Sequence, residues 1–186
     1  MRVTRSTAGG ALAGMENSQA LKNLGAGEHD RVLVELPADP LVHLVGGAQG
    51  IVSAWESRSS PPTRRRPGGA SPTFAESLLR AELDLRTAAH LASDDPLPWT
   101  HLLVAGRGLR IAKADLVERW NQATRRCDAL YFAHEQLLQG LCLKWGGSHE
   151  AMFAFARELA ARGDNASPLG ALVAIAHLEL YVATDV

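Results

Sequence analysis

Cysteine and aromatic residues are scarce in this chain. Only two of the 186 residues are cysteines, Cys127 and Cys142, and only 5% are aromatic. Two cysteines cannot form a disulfide framework, and without paired Cys-x-x-Cys spacing they do not predict a structural zinc site. The sequence therefore predicts a reduced, cytoplasmic protein with no metal and no other cofactor. Because aromatics are few, the 46% of hydrophobic residues is mostly Ala, Leu and Val, which is typical of closely packed helices.

The chain also has no excess of either charge and no long apolar run. It contains 19 Lys and Arg against 20 Asp and Glu, which gives no electrostatic reason to bind nucleic acid or an anionic membrane surface. A transmembrane helix needs about 18 or more consecutive apolar residues, and none occurs. Residues 1–15 lack the leucine-rich segment of a secretory signal. We therefore expect neither a nucleic-acid nor a membrane partner.

Common phosphate-binding and nucleophile motifs are absent as well. The chain has no Gly-x4-Gly-Lys-Ser/Thr loop, no Gly-x-Gly-x-x-Gly after a strand and no Gly-x-Ser-x-Gly elbow. Gly106-Arg107-Gly108 lacks a third glycine and follows a helical pattern, so it does not predict a phosphate-binding loop. The Arg64–Arg66 triplet has two interpretations, a phosphate or nucleic-acid contact and a solvated loop. The balanced charge and the lack of interleaved aromatics favour the loop.

Composition divides the chain into an arm and a domain. Residues 1–38 are rich in small residues and predict a flexible or partly helical N-terminal arm. Within it, Arg31–Leu36 alternates like a strand, but the end of a helix or an extended lead-in is equally consistent with it. Residues 39–186 predict a helical domain, interrupted at residues 58–72 by a flexible loop rich in Arg, Pro and Gly.

Seven amphipathic segments follow the arm, each with a capping residue or a turn at its start. Asp39-Pro40 opens the first, which has apolar residues at helical spacing and three glycines that indicate either a close helix approach or a marginal helix. We expect the helix that follows Asp95-Pro96 to end at Gly106–Gly108, and Glu82 and Arg86 to pair on a solvent-facing side. The predicted apolar face of the first helix comprises Leu41, Leu44, Ala48, Val52 and Trp55. The other starts lie at Phe74, at about residues 112 and 128, at Ser148 and at Ser167-Pro168.

These segments predict an all-α fold of six to seven helices in antiparallel hairpins. Helix-opening signals recur at intervals of about 33 and 40 residues, near the 34-residue period of tetratricopeptide repeats. Trp99 and Leu102 match the opening of that motif, while the Gly and Tyr that should follow are absent. The sequence thus predicts a degenerate tetratricopeptide-like array.

The chain also resembles a family of uncharacterised tetratricopeptide-like proteins typical of actinobacteria, over about residues 50–183. The segments that carry the resemblance are SAWESR, DPLPWTHLL, KWGGSHEAMFAFARELA and SPLGALVAIAHLE. The resemblance implies a helical-repeat fold and a cytoplasmic protein. It implies no reaction and therefore assigns no catalytic residues.

Lys144–Glu150 is the one stretch where residues that shape a helix corner and residues with chemical potential coincide. Lys144 suits the end of a helix, the two glycines suit a turn, and Ser148 suits the start of the next helix. Trp145 has two interpretations: it stacks on a ligand or partner, or it fills the corner between helices. The spacing favours the corner.

Three histidines in the last three predicted helices have a neighbouring carboxylate. Their convergence around a metal is one interpretation. However, adjacent residues on a helix point about 100° apart, and neither HExxH nor Glu-x-x-His occurs. The pattern therefore favours helix-packing histidines and leaves catalytic residues unassigned. The candidate residues for binding a ligand or partner are Trp145, His149, Glu150, His134, His177 and Glu179.

Two functional hypotheses follow from these patterns. The first is a protein-binding or scaffolding module that binds a protein or peptide on stacked helical hairpins. The second is a small helical-bundle enzyme, or a ligand- or metal-binding protein, that uses the His and Glu residues of the last three helices. The last helix is apolar almost all round, so either the N-terminal helices cover it or the chain forms a homodimer through it.

Overall fold

The computed structural model describes residues 26–59, 73–162 and 167–184. Within these ranges the chain forms eight α-helices and no β-strand, so the predicted all-α class is confirmed. No helix in them combines the length and the apolar character that a membrane span requires. The helices are α1 (Ala26–Glu35), α2 (Pro40–Ser59), α3 (Phe74–Leu91), α4 (Leu97–Leu109), α5 (Lys113–Arg126), α6 (Tyr131–Leu141), α7 (His149–Arg162) and α8 (Ala171–Thr184), with 3-10 turns at Leu143–Trp145 and Pro168–Gly170.

The arm and the loop fall largely outside these ranges. Residues 1–25 of the arm and 60–72 of the Arg/Pro/Gly loop, including the Arg64–Arg66 triplet, lie outside the described residues. The strand-like segment forms the end of α1, so the helical alternative for it is correct.

Consecutive helices pack antiparallel. Gly47 near the start of α2 lies against Leu85 near the end of α3. Trp55 near the end of α2 lies against Phe74 at the start of α3, so the two helices run in opposite directions. The same reversed order relates α4 to α5 and α5 to α6 through the pairs Leu102–Arg119, Gly106–Leu116, Leu116–Gly140 and Trp120–His134. The predicted antiparallel hairpins are therefore present, while their relation to tetratricopeptide repeats stays a prediction.

Glycines set the closest approach between α2 and α3. A Cβ at Gly47 would lie 2.5 Å from Leu85 Cγ, and one at Gly50 would lie 3.1 Å from Ala81 Cβ. This contact turns Ile51 and Ala54 into the core. Two residues of the predicted apolar face, Leu41 and Val52, are instead 53% and 43% exposed. Of the two interpretations of the glycines, the close approach is the one observed.

The prediction that Gly106–Gly108 ends a helix is wrong. Helix α4 continues to Leu109 and ends where Arg110 adopts a left-handed conformation with φ 56°. A Cβ at Gly106 would lie 2.7 Å from Ile111 Cδ1, and one at Gly108 would lie 2.5 Å from Leu78 Cδ1. Both glycines therefore make room for neighbouring side chains within the helix.

Helix starts agree well with the capping residues in the sequence. Asp39 accepts a hydrogen bond from the Leu41 amide (2.8 Å), and Ser148 accepts one from the Ala151 amide (3.0 Å). Ser167 also accepts a backbone hydrogen bond, but it caps the 3-10 turn that precedes α8. These bonds satisfy amide groups that a helix leaves without partners.

Glu82 occupies a buried position, which corrects its predicted place on a solvent-facing side. It does bond Arg86 at 2.9 Å, as the i,i+4 spacing predicts. The same carboxylate oxygen also bonds Arg119 on α5, and both of these residues are only 8% exposed. Arg119 in turn donates to the Leu102 carbonyl at 2.6 Å. The Glu82–Arg119 ion pair thus joins α3 to α5 within the core, and the hydrogen bond from Arg119 to Leu102 joins α5 to α4.

The imidazole of His101 on α4 makes the fold sensitive to acid. Burial lowers its pKa to about 4. The unfolded chain binds this proton near pH 6.5, so acidification from there towards pH 4 favours unfolding. Over that range we expect a stability loss of up to about 3 kcal/mol from this residue. In His101→Gln, urea unfolding at about pH 7 and pH 4.5 should show a smaller loss than in the native chain.

His90 offers the matched control because it is exposed on α3. The His90→Gln variant should keep the acid sensitivity of the native chain. Equal acid sensitivity in His101→Gln and the native chain would contradict this assignment.

Candidate functional site

The Lys144–Glu150 segment forms a tight corner between α6 and α7. Leu143–Trp145 is one 3-10 turn, and Gly146 follows with φ 77°, a conformation that residues with a Cβ rarely adopt. A Cβ at Gly147 would lie 1.9 Å from the Leu141 carbonyl oxygen. Both glycines are therefore required by the backbone, and Ser148 then starts α7. The corner holds Trp145 in a fixed position.

Trp145 fills the space between this corner and the N-terminal helices. Its ring lies 5.6 Å from the ring of Trp55 at an interplanar angle of 85°. Trp55 in turn meets Phe74 edge-on at 5.0 Å. Such T-shaped pairs are favourable because the positive edge of one ring faces the negative face of another. Trp145 thus packs at the corner against Trp55 of α2, and Trp55 connects it to α3.

Two arginines lie over the same indoles. The guanidinium carbon of Arg58 lies 5.5 Å from the Trp55 ring centre and 5.8 Å from that of Trp145. For Arg107 the corresponding distances are 5.8 Å and 5.4 Å. We call these four residues the Arg–Trp cluster. Each guanidinium lies within the range of a cation–π contact with both indoles.

A lysine amine fixes the backbone beside the cluster. Lys113 Nζ donates to the Trp145 carbonyl at 2.5 Å and to the Gly140 carbonyl at 2.9 Å. Burial lowers the pKa of this amine, and the nearby Arg110 lowers it further. The turn that carries Trp145 is therefore anchored from α5, and positive charge accumulates around it.

His149 and Glu179 are brought together at a small cavity. It is also lined by Cys142, Lys144 and Met152, and its volume is about 20 Å³. A cavity of this size holds one water molecule, whereas sites for small molecules occupy about 300–1,000 Å³. The Nδ1 atom of His149 is buried and has no hydrogen-bond partner among the described residues. The cavity suits a bridging water and is too small for an organic substrate.

The carboxylate of Glu179 is held in its ionised form. Burial by itself raises its pKa, but hydrogen bonds from Lys144 (2.6 Å) and Gln139 (2.9 Å) outweigh this effect and leave the pKa below its usual value. The same bonds tie α8 to α6 and to the corner. Glu179 is thus engaged with the protein itself.

The cysteine in the same cavity has an unreactive environment. Burial raises the pKa of the Cys142 thiol to about 11, and nearby Glu179 raises it as well. Its sulfur lies 3.4 Å from that of Met152. Since the thiolate is the nucleophilic form, this thiol is unreactive near neutral pH.

His134 lies apart from that cavity, on the other side of α6. Its Nδ1 accepts a hydrogen bond from the Trp120 indole (3.0 Å), because an indole N–H can only donate. Its Nε2 therefore carries the proton and donates to the Asp128 carbonyl (2.7 Å). Burial lowers the pKa of the imidazole, which favours this neutral form. One ring nitrogen thus fastens α6 to α5, and the other fastens α6 to the loop between the two helices.

The two remaining candidates point away from the cavity. His177 is exposed on α8, with its ring 4.8 Å from that of Phe153 on α7. Glu150 is exposed in the first turn of α7, where a negative charge suits the positive end of the helix. Across the described ranges, no three His, Cys, Asp or Glu side chains come close enough to hold a metal ion.

Helix α8 also carries exposed apolar residues. Leu178, Tyr181 and Val182 are 66%, 64% and 56% exposed. Their spacing places them on one side of the helix, together with the exposed Ala171 and Ala174. We call these five residues the α8 face. The described N-terminal helices leave it uncovered.

Sequence reasoning did not predict the Arg–Trp cluster. It identified Trp145 and treated Trp55 as core, but it assigned no role to Arg58 and treated Arg107 only as part of a glycine-rich break. A signal was present for Arg58 alone, because it lies three residues after Trp55 on α2, whereas its meeting with Arg107 and Trp145 depends on tertiary packing. Comparison of the chain with protein-family models, with curated proteins and with solved structures finds no match in any of the three.

Proposed function

We propose that this chain is a protein-binding helical module whose binding surface is the α8 face. The observation that carries the proposal is the absence of charge on that surface within Ala171–Thr184. The only charged side chain of this helix is Glu179, which is bound to Lys144 and Gln139. Contiguous exposed apolar surface is typical of sites where proteins bind. The resemblance to tetratricopeptide-like proteins supports the same function.

The occupant that we propose for the α8 face is a second copy of the chain. An uncharged apolar surface is matched best by another uncharged apolar surface, since an ionic partner would lose hydration without gaining an ion pair. A two-fold symmetric contact brings the same surface of each copy together and supplies this match. Leu178 lies near the middle of the face, where residues contribute most to binding.

The substitution Leu178→Glu tests this contact. It would place a carboxylate from each copy in the apolar interface, so the dissociation constant should rise by at least about 30-fold. Light scattering on the native chain should show twice the 19.9 kDa chain mass at high micromolar concentration. The variant should have the mass of one chain under the same conditions.

Leu83→Glu is the matched control, because Leu83 is an equally exposed leucine (68%) on α3. It should dimerise like the native chain. A monomeric native chain at high micromolar concentration would contradict self-association. A purified partner protein whose binding is lost in Leu178→Glu but kept in Leu83→Glu would then retain the protein-binding function with a different occupant.

A further inference from the structure

We propose that Arg58 and Arg107 bind a phosphate group at the Arg–Trp cluster, with Trp55 and Trp145 as the surfaces that hold the two guanidinium groups. The residues come from the last turn of α2, the end of α4 and the 3-10 turn before α7. The site is thus assembled from three separate parts of the chain. It is distinct from the α8 face.

Among the residues that the structure describes, none forms an ion pair with the arginines of this cluster. In the described parts of the chain, no carboxylate lies within ion-pair distance of either arginine, although four other Arg or Lys side chains form ion pairs there. The acidic groups that act on Arg107 at longer range are Glu135 and Glu179. Glu179 is already bound to Lys144, and among the described residues Glu135 forms no ion pair with either arginine, so neither carboxylate neutralises the cluster directly.

Arg107 also has a hydrogen-bond donor without an acceptor. Its Nε atom is fully buried and has no hydrogen-bond partner among the described residues. Burial lowers the pKa of its guanidinium, which indicates that water solvates it poorly. An anion at this position would supply the missing acceptor and the missing counter-charge together.

The contacts with the indoles hold both arginines in place for an anion. An indole face holds a guanidinium through its flat surface and leaves the N–H groups in its plane available for hydrogen bonds. Arg58 is exposed on the solvent side, so the cluster is open to a ligand. A phosphate group carries up to two negative charges and several acceptor oxygens, so it offers this site more charge and more acceptors than a carboxylate does.

Titration with inorganic pyrophosphate and with ADP, followed by calorimetry and by tryptophan fluorescence, tests the proposal. We expect saturable binding to the native chain, with a change in fluorescence because two indoles lie within the site. Arg58→Gln should weaken binding at least about tenfold, since a charge-assisted hydrogen bond is lost. Tighter binding of ADP than of pyrophosphate would support an organic phosphate as the natural ligand, and equal affinity would support a free inorganic one.

Two variants keep the test specific. Arg125→Gln removes the same charge from an exposed position on α5 and should leave binding unchanged. Arg58→Lys keeps the charge but loses the flat stacking group, so its affinity should fall between those of the native chain and Arg58→Gln. Absence of saturable binding to the native chain up to about 10 mM phosphate compound would overturn the proposal. An equal loss of affinity in Arg125→Gln and Arg58→Gln would also overturn the proposal.

Discussion

Replacing Glu82 with alanine should lower the free energy of unfolding by about 3–5 kcal/mol. The substitution would leave the guanidinium of Arg119 buried without its ionic partner, because the Leu102 carbonyl alone would remain bonded to it. Removing one member of a buried pair is costly since the remaining charge has lost its water and gains nothing in return. Urea denaturation followed by circular dichroism measures the change.

Two further variants distinguish the effect of breaking the buried ion pair from the effect of losing side-chain volume. Arg86→Ala removes the exposed partner of the same carboxylate and should cost less than about 1 kcal/mol. The double variant Glu82→Leu with Arg119→Met replaces both charges by apolar groups of similar size and should recover most of the lost stability. If Glu82→Ala lowered the free energy of unfolding no more than Arg86→Ala does, that result would contradict the role assigned to the pair.

The substitution Gly147→Ala should destabilise the fold by about 3 kcal/mol or more, at the upper end of the range for overpacking. Its added Cβ would lie 1.9 Å from the Leu141 carbonyl oxygen and 2.4 Å from the carbonyl carbon. Both are backbone atoms at the end of α6, so no side chain can rotate away to relieve the clash. The corner would have to open, and Trp145 would lose its fixed position.

Gly170→Ala provides the matched control, because a Cβ at Gly170 would meet no atom within 4 Å. Its free energy of unfolding should stay within about 0.5 kcal/mol of the native value. Tryptophan fluorescence should also shift in Gly147→Ala and remain unchanged in Gly170→Ala. Equal stability of the two variants would show that the corner adapts to a side chain at residue 147.

Helix positions could be predicted from the sequence because their signals are local. Asp39, Ser148 and the X-Pro pairs act within a few residues of the helix start, and the structure places helix or turn starts there. The same local reading failed at Gly106–Gly108, since nothing in the adjacent sequence shows that Leu78 occupies the space beside the helix. A glycine that ends a helix and a glycine that admits a neighbour look alike in one sequence.

The sites depend on contacts between residues far apart in the chain. Arg58 and Trp145 meet only because α2 and the corner after α6 pack together, and no periodic pattern records that contact. Glu82 was placed among solvent-facing pairs because its i,i+4 neighbour is an arginine, whereas its burial depends on Arg119 of α5. Of the candidate residues, His149 and Glu179 share a cavity, while His134, His177 and Glu150 lie elsewhere.

The exposed apolar side of α8 could be foreseen in part. Its composition indicated a helix that needs cover, but only the packing shows which side α7 already covers. Leu172 and Ala176 are fully buried, and the opposite side remains open to solvent. We propose that a second copy of the chain covers that side.

Amide hydrogen exchange at low and at high protein concentration tests this claim most directly. We expect amides within residues 174–182 to exchange more slowly as concentration rises, because association buries this side of α8. Amides of α3 around the equally exposed Leu83 should show no such change. Exchange in α8 that does not depend on concentration, up to the high micromolar range, would contradict the account.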